Sequence, residues 1–217
     1  MKKFISLSLA VVLFICITLC TPVIATVTHI DATGEYTFDA DSVFVFKAPD
    51  TGWYAINSYD NEDPFLKVEH SDGTSCEFDN IRNSMEFCGY IFLEGGEEIN
   101  CKLGSYGKDE VINFVIKSVV EAQVDVDYTV ESGSYFYFTA DHDDYYQLSS
   151  INGFDPYVDV QLPDGSFESF DDENDCEFFG ETYIKKGETI FFSVNDYDGS
   201  DVNFEISCDC SKHPLFG

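Results

Sequence analysis

The sequence predicts an all-β protein made of two tandem jelly-roll-like β-sandwich domains behind a signal peptide. Three observations support this prediction: an apolar N-terminal segment, an internal repeat with a period of about 92 residues, and short alternating segments between turn residues. Strands rich in β-branched and aromatic residues, separated by turns at regular spacing, are typical of sandwiches.

The first 25 residues have the layout of a secretory signal peptide. Lys2 and Lys3 provide a positive start, residues 4–19 form an apolar run, and residues 23–25 fit a cleavage site. The run is short for a membrane-spanning helix, and no second apolar stretch follows it. We therefore expect a secreted protein that is not held in a membrane after the signal is cleaved.

The repeat divides the rest of the chain into two similar halves. Residues 36–73 align with residues 128–165 without a gap, and about a third of the aligned positions are identical. A period of this length is that of a whole small domain, larger than the unit of a solenoid.

We therefore predict one domain at 27–120, a second at 121–210 and a tail at 211–217. Residues 119–126, which link the two domains, contain no Gly or Pro. This linker can therefore continue as a strand from the first domain into the second, which would make the pair fairly rigid.

Within each copy, short segments alternate between apolar and polar residues. In the first copy, residues 53–58 and 65–70 alternate in this way, and the second segment ends at Asp72-Gly73, a strong hairpin signal. The second copy repeats the signal at Asp164-Gly165. No segment has an apolar period of 3.6 residues long enough to predict a helix.

Acidic side chains dominate the composition. The chain contains 41 acidic and 11 basic residues, which gives a formal net charge of -30. Such a surface repels phosphate backbones, so nucleic acid is not an expected partner, and a monomer is favoured. Disorder is not expected, because 21 Phe and 13 Tyr provide ample material for a packed core.

Cysteines form a second compositional signal. An even number of cysteines in a secreted chain predicts disulfides, although the sequence does not choose among the pairings. Zinc binding by Cys208-Asp209-Cys210 is an alternative, but no second thiol pair at zinc-site spacing accompanies it. The six cysteines that follow the signal peptide are Cys76, Cys88, Cys101, Cys176, Cys208 and Cys210.

Acidic loops of the second copy predict a calcium site. Antiparallel strands alternate their connecting loops between the two ends of a sandwich, so these loops should share one end. Calcium prefers clustered carboxylate and carbonyl oxygens on loops. The predicted ligands are Asp155, Asp171, Asp172, Asp175, Asp196 and Asp198. The alternative is that these acids form a solvated loop surface.

Aromatic residues form a second candidate surface, for sugars or peptides. Neighbouring residues of a strand point to opposite faces, so we expect one ring of each adjacent pair to be exposed. The alternative is that these rings belong to the core. The candidates are Trp53, Tyr54, Tyr145, Tyr146 and Tyr157.

Catalytic patterns are not evident in the sequence. The four histidines form no His-Glu-x-x-His arrangement, and no Gly-x-Ser-x-Gly motif occurs. Paired carboxylates are uninformative in so acidic a chain, since their geometry is unknown. We therefore do not expect an enzyme.

An ordered series of motifs, present twice, resembles the bacterial pre-peptidase C-terminal domain family, which includes the collagen-binding modules of clostridial collagenases. The series is a Phe-x-Phe strand, Gly52-Trp53-Tyr54 or Asp144-Tyr145-Tyr146, then Asp-Pro, Asp-Gly and a late Gly-Glu. The resemblance implies a jelly-roll-like sandwich, a secreted accessory role and, in some members, calcium. The chain departs from the family in having no peptidase domain and in its cysteines.

These features predict a secreted, non-catalytic binding or accessory protein that engages an extracellular polymer or protein, with calcium as a candidate stabilising ion. The alternative prediction is a structural or inhibitory partner of a separately encoded secreted peptidase or other hydrolase.

Overall fold

A computed structural model describes residues 27–80, 85–108, 110–152, 154–171 and 177–208. The predicted signal peptide, the predicted tail, Cys176 and Cys210 lie outside these residues. The described chain is all-β, which confirms the predicted fold class. Among the described residues, no helix has the length and apolar character needed to cross a membrane.

Nine strands build the first sandwich. They are β1 (Thr28–Ile30), β2 (Gly34–Asp39), β3 (Val43–Lys47), β4 (Gly52–Ser58), β5 (Pro64–His70), β6 (Ser75–Phe78), β7 (Cys88–Leu93), β8 (Glu98–Ser105) and β9 (Val111–Glu121). One sheet has the order β1-β3-β8-β5-β6, and the facing sheet has the order β2-β9-β4-β7. Without β1, these are the two four-stranded sheets of a jelly roll.

Eight further strands build the second sandwich. They are β10 (Asp127–Val130), β11 (Ser134–Thr139), β12 (Asp144–Asn152), β13 (Pro156–Gln161), β14 (Phe167–Phe170), β15 (Phe179–Ile184), β16 (Thr189–Asp196) and β17 (Val202–Cys208). The sheet orders β11-β16-β13-β14 and β10-β17-β12-β15 repeat those of the first sandwich strand for strand.

Each sandwich has its own hydrophobic core. Alternation directs every second side chain inward, and aromatic rings from both sheets meet there. In the first core Phe44 stacks on Phe114, with ring centroids 5.3 Å apart. In the second core Phe136 stacks on Phe192, with ring centroids 5.4 Å apart.

The long strand β9 takes part in both sandwiches. Its residue Val119 pairs with Trp53 of β4 in the first sandwich, while the next residue, Val120, pairs with Phe136 of β11 in the second. The pairing with β11 is parallel, and it takes the place that β1 occupies beside β3 in the first sandwich. The chain therefore passes between the two cores within one strand.

The Asp-Gly hairpins form where the sequence predicts them. Gly73 and Gly165 both have a φ of 84°, a left-handed conformation that favours glycine. Asp72 Oδ1 accepts a hydrogen bond from the backbone N–H of Thr74, 2.8 Å away. Asp164 makes the equivalent bond to Ser166 at 2.9 Å.

The disulfide prediction is not met by the described cysteines. No disulfide joins Cys76, Cys88, Cys101 or Cys208 within the described part of the chain. Cys76 on β6 and Cys101 on β8 both pair with Val68 on β5, the strand that lies between them. Two strand spacings, about 9.6 Å, therefore separate the Cα atoms of the two cysteines. That distance exceeds the roughly 7 Å limit for a disulfide.

Candidate functional site

Acidic residues next to the ends of β13, β14 and β16 lie together at one end of the second sandwich, which we call the acidic end. The N–H of Asp155 donates to Asp196 Oδ2 at 3.2 Å, and the N–H of Tyr197 donates to the Asp155 carbonyl oxygen at 3.1 Å. The Tyr197 hydroxyl donates to Asp171 Oδ2 at 3.0 Å. Asp155, Asp171 and Asp196 of the predicted calcium ligands therefore share one small region.

Two of the remaining predicted ligands cannot be placed and one points outward. Asp172 and Asp175 lie outside the described residues, and Asp198 is exposed. Asp171 Oδ1 is buried and has no hydrogen-bond partner among the described residues. The hydrogen bond to Asp171 raises the pKa of Tyr197. One carboxylate oxygen at the acidic end is therefore left without a protein donor in the described structure.

Asp196 is the buried member of this group. Its Oδ1 accepts hydrogen bonds from the N–H groups of Asp198 at 2.9 Å and Ser200 at 3.2 Å, in addition to the Asp155 bond to Oδ2. Burial alone would raise the pKa of Asp196, but these backbone donors outweigh it and hold the pKa below its usual range. Asp196 therefore stays ionised and fixes the loops around it.

In each aromatic pair the first ring, Trp53 or Tyr145, points away from the core, but only Tyr145 is exposed to solvent as predicted. Tyr54 and Tyr146 lie in the two cores, with 2% and 0% of their surface exposed, so they are not part of a binding surface. Each hydroxyl reaches back to the carbonyl oxygen four residues earlier, which satisfies the buried polar atom. Tyr157 is half-buried and packs against Tyr197, with ring centroids 4.6 Å apart.

Trp53 is covered by the second sandwich. Its ring contacts Phe191 of β16 edge to face, with centroids 4.7 Å apart, and Tyr90 stacks on the same Phe191 at 4.5 Å. Asn57 Nδ2 donates to the Tyr135 hydroxyl at 2.6 Å. The outer face of β4 and β7 is thus a docking surface between the two sandwiches.

A groove of about 500 Å³ runs along this junction. Cys88 lines it together with Asn57, Tyr90, Asp159 and Ser193. Burial raises the pKa of the Cys88 thiol to about 12, so this thiol stays protonated at neutral pH.

The equivalent outer face of the second sandwich is open to solvent. Three cross-strand pairs run down β12 and β15: Tyr145 with Tyr183, Gln147 with Glu181, and Ser149 with Phe179. Tyr145, Tyr183 and Phe179 are 38%, 48% and 38% exposed. Gln147 Nε2 donates to Glu181 Oε2 at 2.8 Å, between the aromatic ends. We call these six residues the open aromatic face.

A group that the sequence analysis missed lies at the other end of the second sandwich, away from the acidic end. His142 Nε2 is 3.5 Å from Cys208 Sγ and 3.6 Å from Asp144 Oδ2, and Cys208 Sγ is 3.3 Å from the same oxygen. His142 lies in the turn before β12, Asp144 begins β12 and Cys208 ends β17. Antiparallel pairing of β12 with β17 brings Cys208 opposite Tyr146 and thus beside the other two.

The described chain is therefore a pair of jelly-roll-like sandwiches with an acidic end, an open aromatic face and a His-Asp-Cys cluster. No protein-family model matches it, and no curated protein matches its sequence. The resemblance to the pre-peptidase C-terminal family accordingly stays a prediction.

Two of the solved structures that are similar to this chain each contain more than one domain. One is the N-terminal CBM22-1-CBM22-2 tandem domain from Paenibacillus barcinonensis Xyn10C, at 7% identity and a TM-score of 0.25, covering 81% of this chain and 86% of that chain. The other is the CUB1-EGF-CUB2 domain of human MASP-1/3, at 8% identity and a TM-score of 0.23, covering 81% of this chain and 99% of that chain.

Proposed function

We propose that this is a secreted, non-catalytic binding protein that engages an extracellular polymer or protein through the open aromatic face. The observation that carries the proposal is the internal repeat. The open aromatic face occupies the position at which the first sandwich docks its neighbour, since Tyr145 and Tyr183 pair as Trp53 and Phe92 do.

The chemistry of this face suits adhesion to a flat or extended ligand. Tyrosine offers a rigid apolar ring with a polar tip, a combination that is enriched at protein interfaces. From the Tyr145–Tyr183 pair to Phe179 the strands rise by about 14 Å, which provides two aromatic contacts along one ligand. Glu181 and Gln147 lie between them and supply hydrogen-bonding groups.

The test is a binding panel with the mature protein. Insoluble collagen, mucin and plant polysaccharides are each mixed with the protein and sedimented, and the bound fraction is measured. The double variant Tyr145→Ala/Tyr183→Ala is expected to lower the affinity for the ligand that retains the parent protein by about tenfold or more, because truncated aromatic anchors typically cost over 1 kcal/mol each.

Tyr197→Ala is the matched control, since Tyr197 is an exposed tyrosine at the acidic end. Equal retention of the parent and the double variant would contradict the assignment of this face. Retention lost equally in Tyr197→Ala would move the ligand site to the acidic end.

A partner protein is the second candidate ligand, and the same repeat supports it. In the first sandwich the equivalent face contacts a protein domain through Phe191. A separately encoded secreted peptidase or other hydrolase would then be held or inhibited through the open aromatic face. Copurification of such an enzyme with the parent, and not with Tyr145→Ala/Tyr183→Ala, is the result that favours this candidate over a polymer.

Calcium is proposed as a stabilising ion at the acidic end, where the Asp171 carboxylate keeps one buried oxygen without a described donor. A ligand that binds only the folded state raises the melting temperature in a concentration-dependent way. We expect millimolar calcium to raise the melting temperature relative to chelator, and Asp171→Asn to reduce the shift. Asp127→Asn, a change to an acid on β10, is the control. No shift in the parent protein would leave these acids as a solvated surface.

A further inference from the structure

We propose that His142 Nε2, Asp144 Oδ2 and Cys208 Sγ form a binding site for a divalent transition-metal ion of the zinc type. The site lies at the end of the second sandwich that is away from the acidic end, where β12 begins and β17 ends. It is separate from the open aromatic face and from the acidic end, so it does not depend on the proposed function.

The spacing of the three donor atoms fits one tetrahedral ion. Zinc binds nitrogen and oxygen at about 2.0–2.1 Å and sulfur at about 2.3 Å, which places neighbouring donors roughly 3.3–3.6 Å apart at tetrahedral angles. The three separations in the protein are 3.3, 3.5 and 3.6 Å. An ion can therefore enter with shifts of a few tenths of an ångström, and the fourth position is left for water or a partner's ligand.

The surroundings orient the donors in the way that metal sites require. A ligating histidine commonly holds its other ring nitrogen on a carboxylate, which fixes the tautomer and the ring plane. His142 Nδ1 contacts Asp141 Oδ1 in this way. Asp144 uses its other oxygen, Oδ1, to accept the N–H of Tyr145 at 2.7 Å, which leaves Oδ2 facing His142 and Cys208.

Comparison between the two sandwiches shows that the fold itself does not need these residues. The register places Gly52 at the position of Asp144, and Ser118 at the position of Cys208. Asp50 stands in place of His142, because its carbonyl oxygen accepts the same tyrosine hydroxyl bond. The first sandwich forms the same turn without a histidine or a thiol, so the combination of imidazole, carboxylate and thiol at these positions belongs to the second sandwich.

The donor set also selects the class of ion. In the absence of metal the Cys208 thiol donates a hydrogen bond to Asp144 Oδ2, and a divalent cation at this point would replace the thiol proton and hold the two anionic groups together. Thiolate and imidazole suit zinc, cobalt or copper, whereas calcium and magnesium prefer oxygen ligands.

A bound ion would link the end of β17 to the turn between β11 and β12. Cys208 is the last described residue of the chain and packs against the edge of the second core. Metal binding would therefore stabilise the second sandwich at the point where its last described strand ends.

The experiment uses the mature protein, stripped with chelator and titrated with Co²⁺ and then Zn²⁺. Tetrahedral Co²⁺ bound to a thiolate gives a sulfur-to-cobalt charge-transfer band and strong visible bands, and Zn²⁺ should abolish them by displacing cobalt. Cys208→Ser is expected to remove the charge-transfer band and to lower zinc affinity by at least the roughly 10- to 100-fold that loss of a residue orienting a ligand costs. Asp141→Asn, which loosens the orientation of His142, should lower affinity about 10- to 100-fold.

The triple variant His142→Asp/Asp144→Gly/Cys208→Ser installs the residues of the first sandwich and is therefore expected to fold and to lose the site. Cys76→Ser removes an exposed thiol elsewhere and should leave the spectrum unchanged. Iodoacetamide labelling provides a second reading, since zinc should protect Cys208 and not Cys76. Absence of the cobalt band in the parent protein, or its persistence in Cys208→Ser, would overturn the proposal.

Discussion

Asp196 shows how a single buried carboxylate organises the acidic end. Its two oxygens accept three backbone hydrogen bonds from residues on two different loops, those of Asp155, Asp198 and Ser200. The equivalent residue of the first sandwich is Ser105, which pairs with Pro64 as Asp196 pairs with Pro156. Serine carries one acceptor oxygen without charge, so only the second sandwich has a charged anchor here.

This arrangement makes the stability of the second sandwich depend on pH. The pKa of Asp196 is lowered in the folded state, so its contribution is present above the unfolded pKa of about 4 and is lost as the pH falls through the folded value. Asp196→Asn should therefore lower the urea midpoint at about pH 6, because the amide nitrogen would face the Asp155 N–H. The difference from the parent should narrow at about pH 3.

Asp198→Asn serves as the control, because Asp198 is an exposed neighbour in the same loop. A difference between Asp196→Asn and the parent that stays constant across this pH range would show that the charge of Asp196 contributes nothing to stability.

At the scale of strands, the contact between β14 and β15 closes the edge of the second sandwich. Phe170 lies at the end of β14, in one sheet, and Gly180 lies in β15, in the other. A methyl group added at Gly180 would lie 2.0 Å from Cδ2 of Phe170. The first sandwich repeats the contact with Phe78 and Gly89, where the distance would be 2.1 Å.

Gly180→Ala should therefore destabilise the protein by about 1–3 kcal/mol, because the Phe170 ring must leave its site. The measurement is the free energy of unfolding in urea. Gly52→Ala is the matched control, since Gly52 also lies in a strand and an added methyl there would meet no atom within 4 Å. Equal effects of the two substitutions would mean that the Phe170 contact is not the cause.

Strands and hairpins were predictable because their signals are local. Alternation and the Asp-Gly turns each act over a few residues, and the repeat presents the signal twice. For each adjacent aromatic pair, the sequence predicted that one ring faces the core and the other faces outward, but not which ring is which. In the structure, Tyr54 and Tyr146 are the buried rings. The disulfide prediction was not met for the described cysteines. An even number of cysteines in the sequence says nothing about the distance between the strands that carry them.

At the scale of the molecule, the His-Asp-Cys cluster was beyond sequence reasoning because its parts lie far apart in the chain. Cys208 follows His142 by 66 residues, and only the pairing of β12 with β17 brings them together. A weaker signal was nevertheless present in the repeat. At the three aligned positions the second copy carries His, Asp and Cys where the first carries Asp50, Gly52 and Ser118.

The open aromatic face also follows from the whole molecule and not from either sandwich alone. Trp53 and Tyr145 occupy the same position in their sandwiches, yet Trp53 is covered by Phe191. The difference arises from the order of the two domains along the chain. In the described structure, the face that the first sandwich uses for its neighbour is left open in the second.

The shared strand β9 has a mechanical consequence for the way in which the two sandwiches can be separated. Its residues 119 and 120 are bonded into different sandwiches, without a slack segment between them. A pulling force applied across the two domains therefore acts directly on the extended backbone of β9. To separate the sandwiches, the force has to break the pairing of β9 with β11 and the ring contacts of Phe191 from the start, because no flexible linker is available to extend first.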